Sequence, residues 1–226
     1  MSEAKPGSFK WMSGFFSFRL QEMKKIFLVR HGLTTLNEQR RYCGVSNACL
    51  SSQGFKQAQS VADLLGQEKF DSIYTSPLKR CLETSKPIAQ SHDIIAEPLT
   101  GLSEINFGLW EGLTFEEIQT AYPDQMKVWF EKPDEFTFPK GESVYDFRKR
   151  VMASLDIILT NQSDSLIVAH GGSLRIIICH LCGWPRESLH SFELEPASLT
   201  ILEHYENSTV VRVLNETCHL KNGGVN

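Results

Sequence analysis

The stretch Ile26-Phe27-Leu28-Val29-Arg30-His31-Gly32-Leu33-Thr34 decides how this chain is read. Four apolar residues run without a break and stop at a cation, an imidazole and a glycine. Strands of a parallel sheet are buried on both faces and read as continuous apolar runs. In open α/β sheets the ligand site lies beyond the carboxyl ends of such strands. The Arg30-His31-Gly32 triplet therefore places a nucleophile and an anion-binding cation where a site is expected. The blander alternative is a strand followed by an accidental polar turn, so the rest of the chain must decide.

With 226 residues, 41% of them hydrophobic and 22% charged, the composition is that of an ordinary globular domain. The net charge of -4 lacks the basic excess of nucleic-acid-binding proteins. No apolar run reaches the ~18–20 residues of a membrane span. The six cysteines are scattered and read as reduced thiols of a cytoplasmic protein rather than a disulfide framework. Cys179 and Cys182 have a zinc-like spacing but no second pair to complete a site.

Residues 1–23 stand apart. Their aromatic stretch from Phe9 to Phe18 is broken by Ser13 and Gly14, and no small-residue cleavage site follows. They are read as an extension, disordered or lying on the surface, ahead of a domain spanning 24–226. From there strands and helices alternate. Residues 24–30 form a strand. Ser51 or Ser52 caps a helix whose inner face is Phe55, Ala58, Val61, Ala62 and Leu65, ending at Gly66. A strand over 71–75 leads into a helix starting at Ser76-Pro77, which Pro87 ends or kinks. A third strand covers 94–96. Residues 104–140, rich in aromatics and prolines, read as short helices and loops over one end of the sheet, with a capping box at Thr114 and Glu117. A helix over 142–159 precedes a strand over 165–169. That strand ends at His170-Gly171-Gly172, and a helix begins at Ser173. Strands over 198–202 and 210–214 complete the sheet. The expected fold is an α/β three-layer sandwich: a mostly parallel central sheet, helices on both faces, and a helical and loop cover over the strand C-terminal ends.

One device recurs. Two strands end in a histidine followed by glycine, His31 and His170, and a third leads to Lys79-Arg80. Glycine lets backbone N–H groups approach an anion closely. With these residues in view, the chain resembles the histidine phosphatase superfamily, also called phosphoglycerate mutase-like. The matching segments are Arg30-His31-Gly32-Leu33-Thr34-Thr35-Leu36-Asn37, Ser76-Pro77-Leu78-Lys79-Arg80, Glu104-Ile105-Asn106-Phe107-Gly108-Leu109-Trp110-Glu111-Gly112, Pro139-Lys140-Gly141-Glu142-Ser143 and Val168-Ala169-His170-Gly171-Gly172. The likeness covers about residues 24–215. The segment around Trp110-Glu111-Gly112 is most similar to the α-ribazole phosphatase branch of cobalamin biosynthesis.

The resemblance implies a hydrolase that acts through a phosphohistidine, without metal or other cofactor. It makes His31 the nucleophile and Glu104 the general acid. Arg30, Arg80, His170, Asn37 and Gly171 become the phosphate-binding set, with Arg30, Arg80 and His170 also counted as catalytic. Arginine suits that role because its planar fork meets two oxygens and keeps its charge. Glu142 and Ser143 are read as a helix start. The implied partner is a small phosphorylated metabolite; a homodimer is kept open. Two departures stand out: Cys43 replaces the glutamine common in Arg-Tyr-Gln-Gly, and Asn47-Ala48-Cys49-Leu50-Ser51 replaces Asp-x-Pro-Leu-Thr. A broad-specificity phosphatase, a cofactor-dependent phosphoglycerate mutase and a catalytically idle phospho-ligand binder are the alternatives. The short span 105–169 disfavours the mutase, and the intact residue set disfavours the idle binder.

Overall fold

The computed structural model describes residues 23–221, so the reading of residues 1–23 as an extension lies, apart from Met23, outside the described residues. Six strands form one sheet in the order β3-β2-β4-β1-β5-β6. These are β1 (Lys24–Arg30), β2 (Ser72–Thr75), β3 (Ala96–Pro98), β4 (Ser165–Ala169), β5 (Leu199–Tyr205) and β6 (Ser208–Glu216). β1, β2, β3 and β4 run parallel; β5 pairs antiparallel with β1, and β6 returns antiparallel to β5. The mostly parallel α/β sandwich expected above is the observed architecture.

The two-residue period of a strand sends neighbours to opposite faces. Ile26, Leu28, Ile167 and Ala169 enter one core, while Phe27, Val29, Leu166 and Val168 enter the other. The second core is closed by α2 (Ser52–Leu65) and α3 (Lys79–His92). The first is closed by α6 (Val144–Thr160) and α7 (Gly171–Leu181), and by the segment over the strand ends. That segment carries α4 (Phe115–Ala121) and α5 (Pro123–Glu131), with single 3-10 turns on either side. Its centre is an aromatic cluster in which Trp110, Phe136 and Phe138 are buried with ring centroids 5.0–5.5 Å apart. The short α1 (Thr35–Glu38) follows β1, and α8 (Cys218–Lys221) follows β6. Among the described residues no helix is long and apolar enough to cross a membrane.

Several elements differ from the sequence expectation, each for a local reason. Ser51 caps α2 as anticipated, its hydroxyl accepting the Gly54 N–H, but Phe55 faces outward. Gly54 takes the inner position because a Cβ there would run into the Leu33 carbonyl. α3 starts at Lys79 rather than Ser76-Pro77, since Leu78 is held in the extended cap conformation and its N–H donates to Ser76 Oγ. Pro87 sits inside α3 without ending it. The helix gives up one backbone bond there, and burial of Thr84, Ser85 and Ile88 on its inner face carries it through to His92. β3 is shifted to 96–98: Ile95 is 93% exposed, and pairing with β2 fixes the strand two residues later. Pro98 is tolerated because β3 is an edge strand. α7 begins at Gly171, two residues earlier than expected. There His170 is the N-cap and its N–H donates to Ser173 Oγ.

Candidate active site

The parallel pairing of β1 with β4 sets Arg30 opposite Ala169, so the next residue of each strand is a histidine. The His31 N–H donates to the Ala169 carbonyl at 2.9 Å and ties the two strand ends together. Their rings meet edge to face with centroids 5.1 Å apart. β2 ends alongside: the Ser76 N–H donates to Val168 O, and Ser76 Oγ lies 2.7 Å from His170 Nε2. The loop after His31 is pressed against α2, since a Cβ on Gly32 would lie 2.7 Å from the Gly54 carbonyl. Thr84 Oγ accepts the Gly32 N–H at 3.0 Å and donates to the Arg80 carbonyl at 2.7 Å, which fixes the loop to α3.

Both rings are buried. His31 Nδ1 lies 2.8 Å from the Gly32 carbonyl. A carbonyl only accepts, so Nδ1 carries the proton and Nε2 keeps a lone pair. Burial holds the His31 pKa well below the ordinary imidazole range, and the nearby Arg80 and Arg30 charges push it the same way. Burial does the same for His170, reinforced by Arg80 and then His31. At neutral pH His31 is a neutral, correctly tautomeric base beside two cations.

The guanidinium of Arg80 is fully buried. Its Nη1 donates to Ser46 O at 2.8 Å and its Nη2 to Gly44 O at 2.6 Å. Arg30 donates from Nη1 to Leu194 O at 2.5 Å. In both arginines the buried Nε has no hydrogen-bond partner. A buried donor without an acceptor is expensive, more so on a charged group. Two of them around a pair of imidazoles define a place that an anion would complete.

Glu104 lies on the other side of the α7 terminus. Its Oε2 accepts the Gly172 N–H at 2.9 Å and its Oε1 the Ile105 N–H at 3.0 Å. A Cβ on Gly172 would stand 2.5 Å from Oε1, so glycine is needed for the carboxylate to sit there. Asn37 Oδ1 accepts from the Thr34 N–H and hydroxyl, leaving Nδ2 as its donor. A cavity of about 720 Å³ opens over this floor, lined by Arg30, Asn37, Cys43, Glu104, Gly171 and Gly172, with Phe107, Trp129 and Phe147 among its walls. Burial pushes the Cys43 thiol up. It stands on the wall as a neutral group where the resemblance had led to glutamine.

Of the residues expected from the sequence, Arg30, Asn37, Glu104 and Gly171 line this cavity, His31, His170 and Arg80 are buried and do not reach its wall, and three others support them. Glu111 accepts from the N–H groups of Gly44, Val45 and Phe107 at 3.1, 2.9 and 3.2 Å and from Ser46 Oγ. It straps the loop whose carbonyls hold Arg80. Arg150 donates to the Glu104 carbonyl at 2.9 Å while paired with Glu142 at 2.7 Å, so Glu142 does more than start a helix. The sequence signal for Glu111 and Glu142 was their place inside motif segments. Arg150 lies on α6 with none.

The geometry agrees with three comparisons. The family model for the histidine phosphatase superfamily (branch 1) matches residues 26–217. Phosphoserine phosphatase 1 of Hydrogenobacter thermophilus is 34% identical over 88% of this chain and 95% of its own. The relative named "Probable phosphoglycerate mutase GpmB" from Yersinia enterocolitica is 29% identical over 88% and 95%. The crystal structure of the α-ribazole phosphatase from Shigella flexneri superposes with a TM-score of 0.79 at 26% identity, covering 85% of this chain and 96% of that one. Paired histidines at adjacent strand ends, flanking arginines and a family match across the whole sheet lead to one assignment: the chain belongs to the histidine phosphatase superfamily, branch 1.

Proposed function

We propose that the protein is a phosphomonoesterase in which His31 carries the phosphoryl group. The observation that supports this most is the pair of buried Nε–H donors of Arg30 and Arg80, both without an acceptor, beside a neutral imidazole with a free Nε2. In the first step Nε2 of His31 attacks phosphorus and the ester P–O bond breaks. Glu104, protonated in this step, delivers its proton to the leaving oxygen. In the second step the Glu104 carboxylate takes a proton from water, the water oxygen attacks phosphorus, the P–N bond breaks and inorganic phosphate departs. Arg30, Arg80, His170, Asn37 and the Gly171 N–H hold the equatorial oxygens.

Magnitudes decide how the work divides. Enzymes accelerate phosphomonoester hydrolysis by as much as ~10²¹-fold. A general acid contributes only ~10²–10⁴ of that. The remainder is positioning and charge stabilisation, which a buried cationic floor supplies.

The names of the relatives support two substrate readings, phosphoserine and α-ribazole phosphate. The likeness to a mutase-named relative favours a second reading, transfer to another hydroxyl of the same molecule. The test is a rate panel with O-phosphoserine, α-ribazole 5′-phosphate, 3-phosphoglycerate and p-nitrophenyl phosphate, reading released phosphate. Hydrolysis that disappears in His31→Ala is the expected result. Isomerisation of 3-phosphoglycerate without phosphate release would make the chain a mutase, and full turnover by His31→Ala would remove His31 as nucleophile.

A further inference from the structure

Arg150 is not in the cavity wall, yet its whole guanidinium is committed to the segment that carries Glu104. An arginine has five N–H donors in a planar fork. Nη1 donates to the Gly101 carbonyl at 2.9 Å and the Ser103 carbonyl at 2.6 Å, and Nη2 to the Glu104 carbonyl at 2.9 Å. The two remaining donors, on Nε and Nη2, meet the two carboxylate oxygens of Glu142 at 2.7 and 2.8 Å. Glu142 also grips the residues that follow: its Oε2 accepts the Asn106 N–H at 3.3 Å, and its own N–H donates to the Asn106 carbonyl at 2.9 Å. A Cβ on Gly101 would run into the Arg150 carbonyl, so the start of this segment is pressed directly onto α6. Residue 104 is therefore held twice, its main chain by α6 and its carboxylate by the Gly172 N–H of α7. A guanidinium with every donor engaged has none left for a phosphate.

We infer that Arg150, braced by Glu142, is the positioning residue that sets the reach of Glu104 to the leaving oxygen. This rests on the phosphatase reading above and deepens it. Proton delivery needs heavy atoms within ~2.6–3.2 Å, and a misplacement of ~1 Å can cost ~10²-fold. The Glu104 side chain is long and flexible, so the place of its main chain decides where the carboxyl group can go. Arg150 fixes that main chain through three carbonyls at once, and Glu142 fixes the plane of the guanidinium. Lysine could not replace it, since one ammonium cannot span three carbonyls and a carboxylate. The role has a chemical signature. A leaving group that departs as a stable anion needs no proton, whereas an alkoxide does, so loss of Arg150 falls on the second kind of ester.

p-Nitrophenyl phosphate and benzyl phosphate are similar in bulk and differ in that need: p-nitrophenolate departs unaided, and the benzyl oxygen requires the proton. The quantity compared is kcat/KM, which reports the steps through P–O cleavage and not the later hydrolysis of the phosphohistidine. The ratio of the two esters is taken within one preparation, so a misfolded fraction cancels. In Arg150→Met, kcat/KM for benzyl phosphate is expected to fall ~10²-fold and that for p-nitrophenyl phosphate less than ~5-fold. Glu142→Gln keeps the shape of the brace without its charge and shifts the ratio the same way, by ~10-fold; it is the second variant where Arg150→Met does not accumulate. Glu104→Gln shows the same selective loss, and adding Arg150→Met to it moves the ratio no further, as coupled residues require. Equal falls for both esters in Arg150→Met and Glu142→Gln, or a further shift in the double variant, would overturn the positioning role and leave the phosphatase standing. Hydrolysis of neither ester by the unmodified chain would overturn both readings together.

Discussion

A histidine can attack phosphorus only while it is neutral, and two features keep His31 so: burial, and arginines on either side. The same burial acts on His170. The consequence for stability has a definite sign. In the folded protein both pKa values lie below the ordinary ~6.5, so below that pH the unfolded chain binds more protons. Stability from these two groups is complete above about pH 6.5 and is lost as pH falls toward the folded values, by up to ~1.4 kcal/mol per pH unit for each ring. Urea unfolding at pH 7.5 and pH 5.0 is expected to show this drop, and His170→Ala to show a shallower one. An equal slope in the variant would mean that His170 is not held neutral by the fold. At this scale the site was largely legible. Arg30, His31, His170 and Gly171 adjoin apolar runs, and a strand's direction fixes where its last residues go. Phe55 shows what was not legible: helical spacing marked it as buried, but a glycine contact with the Leu33 loop, set by the tertiary fold, turned it outward.

At the scale of the element, the first turn of α7 does three things: it caps on His170, sets Gly171 in the cavity wall and seats Glu104 on the Gly172 N–H. Gly172→Ala would drive a methyl to 2.5 Å from Glu104 Oε1. With the carboxylate displaced, kcat should fall ~10²-fold with the circular dichroism spectrum unchanged. A variant with full kcat would mean that Glu104 has no part in proton transfer. The loop over Cys43–Ser46 makes a similar demand on Glu111, whose carboxylate collects three backbone N–H groups and a hydroxyl. Glu111→Ala is expected to destabilise the chain by ~3 kcal/mol and to raise KM, because the carbonyls that cage Arg80 lose their support. A loss under ~0.5 kcal/mol would show that the loop holds itself. Sequence pattern located these elements but not their ends. Caps such as Leu78 and the two-residue offset of β3 depend on neighbouring strands, which no local window contains. The cover over 104–140 was read as short helices and loops, but which aromatics face the cavity and which fill the cluster depends on three-dimensional packing. Trp129 and Phe107 line the cavity, Phe136 is buried and Phe130 is exposed.

For the molecule as a whole, the sheet order matters most. β2, β4 and β1 are adjacent and parallel, so residues 76, 170 and 31 arrive at one edge although they are far apart in the chain. Strand order was the part of the architecture the sequence left as a condition, and the observed topology satisfies it. The central claim is that this convergence makes His31 a phosphoryl carrier. It is tested most directly by quenching the enzyme during turnover of a 32P-labelled phosphomonoester and mapping the labelled peptide. Label on His31, stable in base and lost in acid, is the expected result, with no label in His31→Ala. Label that is stable in acid and labile in base, or that persists in His31→Ala, would contradict it.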